Sequence, residues 1–256
     1  MNALAIAFAA SFSVNALFFV VAAIRRTDTV TDLSYGLSFA LTALVTVLVR
    51  GIDDPVRLVA AALVVTWALR LAGYLFRRIL RIRVDHRFDG RREDPVKFAK
   101  FWILQALSTV VVMLPAVAAM DAPPPDPGLL HGIGFAVWLA GLLVESVADH
   151  QKWRFKISGA PGFVRTGLWS VSRHPNYLGE MLVWWGIWLY ALPSISGWWH
   201  LAALGPAAIT ALLLFVTGIP LLERSADTRY GSDPAYRAYK DATPLLLPRI
   251  FSRRPS

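Results

Sequence analysis

Long uninterrupted apolar runs decide what this chain can fold into. A bilayer core is crossed by about 20 mostly apolar residues in helical form. Seven segments meet or approach that length: residues 2–24, 31–49, 56–76, 101–119, 129–146, 177–192 and 201–222. The sixth is the shortest, yet Trp184, Trp185 and Trp188 keep it strongly apolar. No basic leader precedes the first, which reads as a retained span and not a cleaved signal peptide. The expected fold class is all-α, a polytopic membrane bundle of seven transmembrane helices forming a single domain over residues 1–256.

The distribution of charge gives the bundle a direction. The net charge is +9, and 23 of the 26 Lys and Arg residues fall in residues 25–26, 77–100, 152–173 and the tail after 222. With seven spans, all four stretches lie on one side, which the positive-inside rule makes cytoplasmic. The N-terminus is then outside and the C-terminus cytoplasmic. Membrane topology accounts for the charge, so no nucleic acid is expected as a partner. The chain has no cysteine, which excludes disulfides, thiolate nucleophiles and Cys-based metal sites. No metal site is expected. G-x-G-x-x-G, Walker A, G-x-S-x-G and H-E-x-x-H are also missing.

Ionisable residues at membrane depth are costly and need a partner or a polar cavity. Asp32, Arg70, Glu145 and Glu180 lie there. Asp32 and Glu145 sit near span ends, where snorkelling is an equal alternative. Pro175 favours a helix start. Beyond it, Asn176, Glu180 and Trp184 recur at i, i+4 and i+8, which places an amide, a carboxylate and an indole on one face. That face suits a polar ligand, or else simply caps and anchors the helix. Glu145, Asp149, Lys152 and Lys156 form a helical stripe that also reads as a solvated face of i,i+4 pairs. Arg70, Tyr74, Arg77, Arg78 and Arg81 recur at three- and four-residue steps, and arginine suits phosphate. Positive-inside anchoring explains Arg77 onward equally well, but not Arg70.

Together these residues resemble the steroid 5-alpha-reductase superfamily, in particular its bacterial branch of small seven-helix proteins. The resemblance rests on Thr31 with Asp32, Arg70 with Tyr74, Asp149 with Lys152, and the run from Arg173 and His174 through Pro175, Asn176, Tyr177, Leu178 and Gly179 to Glu180. The tail adds Glu223, Arg229, Tyr230, Gly231, Tyr236 and Tyr239, ending in Leu247, Pro248, Arg249, Ile250 and Phe251. It implies NADPH-dependent reduction of a 4-ene-3-one, such as a steroid A ring, in the bacterial inner membrane. The cofactor-binding half is roughly residues 129–256. Asn176, Glu180 and Trp184 match cofactor contacts. Asp149 with Lys152, Lys156 and Arg165 matches the stretch that holds adenosine and its phosphates. Arg77, Arg78 and Arg81 fall where a loop meets the phosphates. Arg70, Tyr74, Arg173, His174, Tyr177, Glu223, Arg224 and Tyr230 complete the implied cofactor set.

The implied catalytic residues are Asp32 and Tyr35. Reduction of a conjugated ketone needs a donor for the charge growing on oxygen. A protonated Asp32, raised by burial, would donate directly or through Tyr35. One departure stands out: Trp67 occupies the position where steroid reductases carry a tyrosine. The substrate is expected to be an apolar enone reaching the site from membrane lipid, with no obligate protein partner.

Two other readings stay open. Isoprenylcysteine carboxyl methyltransferases share an Arg-His-Pro-x-Tyr stretch and a similar tail, and bind S-adenosylmethionine. A lipid- or sterol-binding membrane protein with a relic site is the third.

Overall fold

A computed structural model describes residues 2–25, 27, 30–82, 94–123 and 126–247. The candidate tail residues Pro248, Arg249, Ile250 and Phe251 lie outside this set. The all-α expectation holds throughout the described residues. The α-helices are α1 (Ala3–Arg25), α2 (Thr31–Arg50), α3 (Pro55–Ile82), α4 (Pro95–Val112), α5 (Leu114–Asp121), α6 (Leu129–Ile157), α7 (Pro175–Ala191), α8 (Leu204–Ala211), α9 (Ile219–Tyr230) and α10 (Pro234–Ala242). Six helical stretches among the described residues are long and apolar enough to cross a membrane: Ala3–Arg25, Thr31–Arg50, Pro55–Arg81, Pro95–Val112, Leu129–Ile157 and Gly197–Tyr230. The sixth expected segment is observed as α7, an apolar helix of 17 residues.

The expected third and fifth segments run on, to Ile82 and Ile157, and the seventh is divided among several helical elements. The segment expected over 101–119 begins earlier, at Pro95, because the Asp94 side chain accepts from the Val96 and Lys97 amides at 3.0 and 3.1 Å. It breaks at Met113, since Pro115 has no N–H to carry the ladder onward.

Contacts group the chain into two compact units: Met1–Phe135 with Ile187–Pro206, and Ala136–Gly186 with Ala207–Ser256. In the first unit, α2 packs closely on α3. A Cβ on Gly36 would come within 2.6 Å of Ala72 Cβ and 2.9 Å of the Ala68 carbonyl. A buried polar seam joins α1, α2 and α4. Asn15 Nδ2 donates to the Ser11 carbonyl and Ser38 Oγ at 2.8 and 2.9 Å. Gln105 Nε2 donates to Asn15 Oδ1 and Ser34 Oγ at 2.9 and 3.0 Å. Lipid gives helices no hydrophobic reason to associate, so such side-chain hydrogen bonds help hold a bundle.

The sparsely charged ends of this unit are clasped by two arginines. Arg50 Nη2 pairs with Asp121 Oδ1 at 3.2 Å, and the Ala3 amide donates to the same oxygen at 3.0 Å. Arg57 donates to the Arg50 and Ala122 carbonyls at 3.0 and 3.1 Å. These bonds consume C-terminal carbonyls that a helix leaves unpaired. Arg57→Met should therefore lower the melting temperature in detergent, while an exposed cation such as Lys97→Met should not.

In the second unit, α6 and α7 touch backbone to backbone. A Cβ on Gly141 would lie 2.6 Å from the Val183 amide nitrogen and 2.7 Å from the Gly179 carbonyl oxygen. A Cβ on Gly179 would lie 2.5 Å from the Glu145 amide nitrogen. Beyond α8 the chain widens into a π-helical turn, Leu212–Val216, and breaks at Gly218 ahead of Pro220. A Cβ at Gly218 would lie 2.5 Å from the Leu213 carbonyl oxygen, so the break needs glycine.

Candidate functional site

The expected ligand-bearing segments of the second unit converge around one carboxylate, Glu223. The break at Gly218 re-aims the chain so that α9 carries Glu223 to the residues preceding α7. Arg173 Nη1 donates to Glu223 Oε2, and His174 Nε2 lies 2.7 Å from Oε1. Lys240 of α10 reaches Glu223 Oε2 at 3.5 Å and Asp227 Oδ1 at 2.5 Å. Tyr236 donates to the same Asp227 oxygen at 3.0 Å. An i,i+4 pair of carboxylates on α9 thus gathers cations from two other segments.

His174 is buried, and that burial pushes its pKa below the ordinary 6.5, against the opposing pull of Glu223. The folded ring resists a proton that the unfolded chain accepts near 6.5. The associated stability is full above that pH and is lost as pH falls below it. Melting midpoints measured on both sides of 6.5 should drop on the acid side, and His174→Gln should flatten the drop.

The loop before α7 is laid onto α6 and covered by α10. Gly159, Gly162 and Gly167 take positive φ of 69°, 87° and 63°. The Leu168 amide donates to Gln151 Oε1 at 2.9 Å, and Trp169 Nε1 donates to the Ala148 carbonyl at 3.0 Å. Tyr239 donates to the Trp169 carbonyl at 2.7 Å, and the Tyr230 hydroxyl to the Gly162 carbonyl at 2.9 Å. Burial pushes the Tyr239 phenol up to about 12 and Tyr236 higher, so both remain donors at neutral pH.

These segments line an open cavity of about 440 Å³. Its cations are Lys152, Lys156, Arg173 and Arg229, and Glu223 is its carboxylate. Lys152 Nζ sits 5.0 Å from the centroid of the Trp169 ring, a cation–π contact. Phe163 packs against Tyr230, Tyr236 and Tyr239 at centroid distances of 5.7, 5.2 and 5.2 Å. Of the residues expected from sequence, Lys152, Lys156, Arg173, His174, Glu223 and Tyr230 line this cavity. Arg165 is exposed over Phe163 and borders a smaller hollow of about 230 Å³. Arg224 is exposed and stands outside both linings.

Sequence reasoning did not assign Arg229, Phe163, Trp169, Tyr236 or Tyr239 to the site. Tyr236 and Tyr239 were visible as a tail motif, but their reach to Asp227 and Trp169 depends on where α10 docks.

Asp149, Asn176, Glu180 and Trp184 stand outside the cavity lining, Glu180 and Trp184 next to Gly179 and Val183 of the α6–α7 contact. Glu145, Asp149 and Glu180 are 2%, 4% and 9% exposed. The stripe on α6 is thus buried at its acidic end, while Lys156 at its basic end is exposed. The solvated-face alternative fails for Glu145 and Asp149. Asn176 Oδ1 is buried with no hydrogen-bond partner among the described residues. Tyr177 stacks parallel to His174, with ring centroids 5.8 Å apart.

The remaining candidates belong to the first unit. Asp32, in the first turn of α2, accepts from Arg78 Nη2 at 2.6 Å. The ion pair makes Asp32 an acceptor, whereas the sequence reading needs it as a protonated donor. Tyr35 meets Phe39 edge-on at 5.0 Å, and Phe39 meets Trp67 at 5.2 Å. Trp67 is fully buried, which suits packing. Arg70, Tyr74 and Arg78 are half-buried on α3, while Arg77 and Arg81 are exposed.

The profile of a family described as a protein of unknown function, DUF1295, matches residues 18–243. The chain belongs to that family, within the steroid 5-alpha-reductase-like superfamily. It is 28% identical over 226 residues to an uncharacterized protein of Schizosaccharomyces pombe, spanning 75% of this chain and 63% of that one. It is 40% identical over 73 residues to 3-oxo-5-alpha-steroid 4-dehydrogenase 1 of Macaca fascicularis, 28% of this chain and 26% of the other. It is 28% identical over 165 residues to methanethiol S-methyltransferase 2 of Bradyrhizobium diazoefficiens, 60% of this chain and 56% of the other. Less than two thirds of each relative's length is therefore covered. No solved structure matches the chain.

Proposed function

We propose that this protein is an NADPH-dependent membrane reductase of the carbon–carbon double bond of apolar 4-ene-3-ones, steroid-like in shape. The observation that carries the reading is the charge of the cavity in the second unit. Four cationic side chains line it against one carboxylate, whose oxygens are already engaged by Arg173, His174 and Lys240. Such a wall favours a polyanion and repels the sulfonium of S-adenosylmethionine.

The fit is favourable in size and chemistry. The cavity volume of about 440 Å³ falls within the ~300–1,000 Å³ common for small-molecule sites. Its aromatic surfaces of Phe163, Trp169 and Tyr236 suit an adenine ring. Lys152, Lys156 and Arg229 suit phosphate groups. Asn176, outside the cavity lining, has a buried Oδ1 that suits a ligand hydroxyl or amide donor, since a buried acceptor without one is costly. When bound, NADPH supplies the hydride, and the chain supplies orientation and field.

On α2, Arg78 holds Asp32 as an ion pair, and Tyr35 is the group that donates to the ketone oxygen. The apolar substrate comes from the bilayer, and water is kept from the reacting atoms by lipid-embedded helices. The reading includes seven crossings of a bacterial inner membrane with the basic loops and tail in the cytoplasm.

An S-adenosylmethionine-dependent methyltransferase is the second reading, favoured by the 60% of the chain that aligns with a methanethiol methyltransferase. The ten tryptophans make the discriminating experiment direct. Purified protein should transfer tryptophan fluorescence to NADPH and show no change with S-adenosylmethionine. The reverse result replaces the reductase with the methyltransferase.

A further inference from the structure

We infer that Glu223 is a positioning residue that sets His174 and Arg173 in the cavity wall and holds the His174 proton on Nε2. The inference rests on the reading of this cavity as a nucleotide site, and it says which of its residues do not touch the nucleotide.

A carboxylate facing a polyanion is unfavourable unless its charge is spent elsewhere. Here Arg173, His174 and Lys240 spend it, at a place where Glu223 is only 20% exposed. The His174 ring is buried, and the nearby cations Lys152 and Arg173 oppose a second proton on it. A neutral imidazole carries one proton, and an ionised carboxylate only accepts. The proton between them therefore belongs to Nε2, 2.7 Å from Glu223 Oε1. Nδ1 is left as a buried acceptor with no partner among the described residues. The backbone is fixed at the same point, because the Arg173 amide donates to the Pro244 carbonyl at 2.9 Å. Glu223 thereby joins α9, α10 and the start of α7, and the break at Gly218 is what brings it there.

The test is Glu223→Gln, which keeps the side-chain shape but can either donate to or accept from the ring. Full-length protein labelled with ¹⁵N-histidine is examined by NMR in detergent, with His174 identified by the signal lost in His174→Gln. The wild type should show the Nε2-protonated tautomer. In Glu223→Gln the tautomer should become mixed, and the dissociation constant for NADPH should rise by about tenfold. A wild-type His174 protonated on Nδ1 overturns the inference, even if the variant fails to fold. So does an unchanged tautomer in the variant, or a changed tautomer with unchanged NADPH affinity. Failure of the wild type to bind NADPH while binding S-adenosylmethionine sinks the reductase reading instead. The tautomer and the S-adenosylmethionine affinity of the variant then decide the inference by the same criteria.

Discussion

Gly179→Val should abolish the folded second unit. The added Cβ alone would lie 2.5 Å from the Glu145 amide nitrogen and 2.7 Å from the Gly141 carbonyl oxygen. Both obstacles are backbone, so no rotamer change relieves them and the helices must separate. Overpacking in a tight core costs ~1–3 kcal/mol where side chains can give way. Here the cost should reach or exceed about 3 kcal/mol, since α6 and α7 would lose contact along their length. The measurement is the monodisperse yield and melting curve in mild detergent, with NADPH binding as a second readout. Gly73→Ala and Gly132→Ala serve as controls, because nothing lies within 4 Å of a Cβ at either position. They should be neutral or stabilising, by up to about 1 kcal/mol from helix propensity. Wild-type melting of Gly179→Val would mean that α6 and α7 do not touch there.

Tyr35→Phe should leave the fold intact and cripple turnover of an enone. The phenyl ring keeps the edge-on contact with Phe39 at 5.0 Å, so only the hydroxyl is lost. Removing one donor to a developing oxyanion costs ~10²–10³-fold in kcat. The expected result is a loss of about 100-fold in kcat with the NADPH dissociation constant within threefold of wild type. Asp32→Asn should slow turnover more than it weakens NADPH binding, because it dissolves the 2.6 Å pair with Arg78. Full turnover in Tyr35→Phe would remove that residue from the reaction.

Much of the bundle is legible because apolar length is a strong signal for helices that cross lipid. The start of α7 at Pro175 and the extension of α6 to Ile157 followed from proline chemistry and helical periodicity. The break at Met113 is not legible from apolar content alone, because Pro115 lies inside an otherwise apolar run. The seam of Asn15, Ser34, Ser38 and Gln105 was missed for a different reason. Only ionisable groups were counted as costly in the membrane, although amides and hydroxyls also need partners there.

At the site, sequence could place residues on a helix face but not say what each face meets. Lys152 stands on a helical stripe that spacing shows, whereas Arg173 and Tyr230 enter only through the family resemblance; all three line the cavity. Phe163 and Trp169 were not found, because an aromatic in a loop has no periodicity to read. The pairing of Asp32 with Arg78, 46 residues later, is not legible in the sequence, where Arg78 reads as a phosphate ligand or a membrane anchor.

The amide seam across α1, α2 and α4 has a consequence for biogenesis. When α1 and α2 enter the bilayer, Asn15 can already meet Ser38 and the Ser34 hydroxyl the Thr31 carbonyl, but the Asn15 side-chain oxygen awaits Gln105. The nascent hairpin is thus left with unspent polarity until the fourth helix arrives. A slip of one residue in any of the three would strand an amide in hydrocarbon, so the seam works as a key that rejects mis-registered insertion.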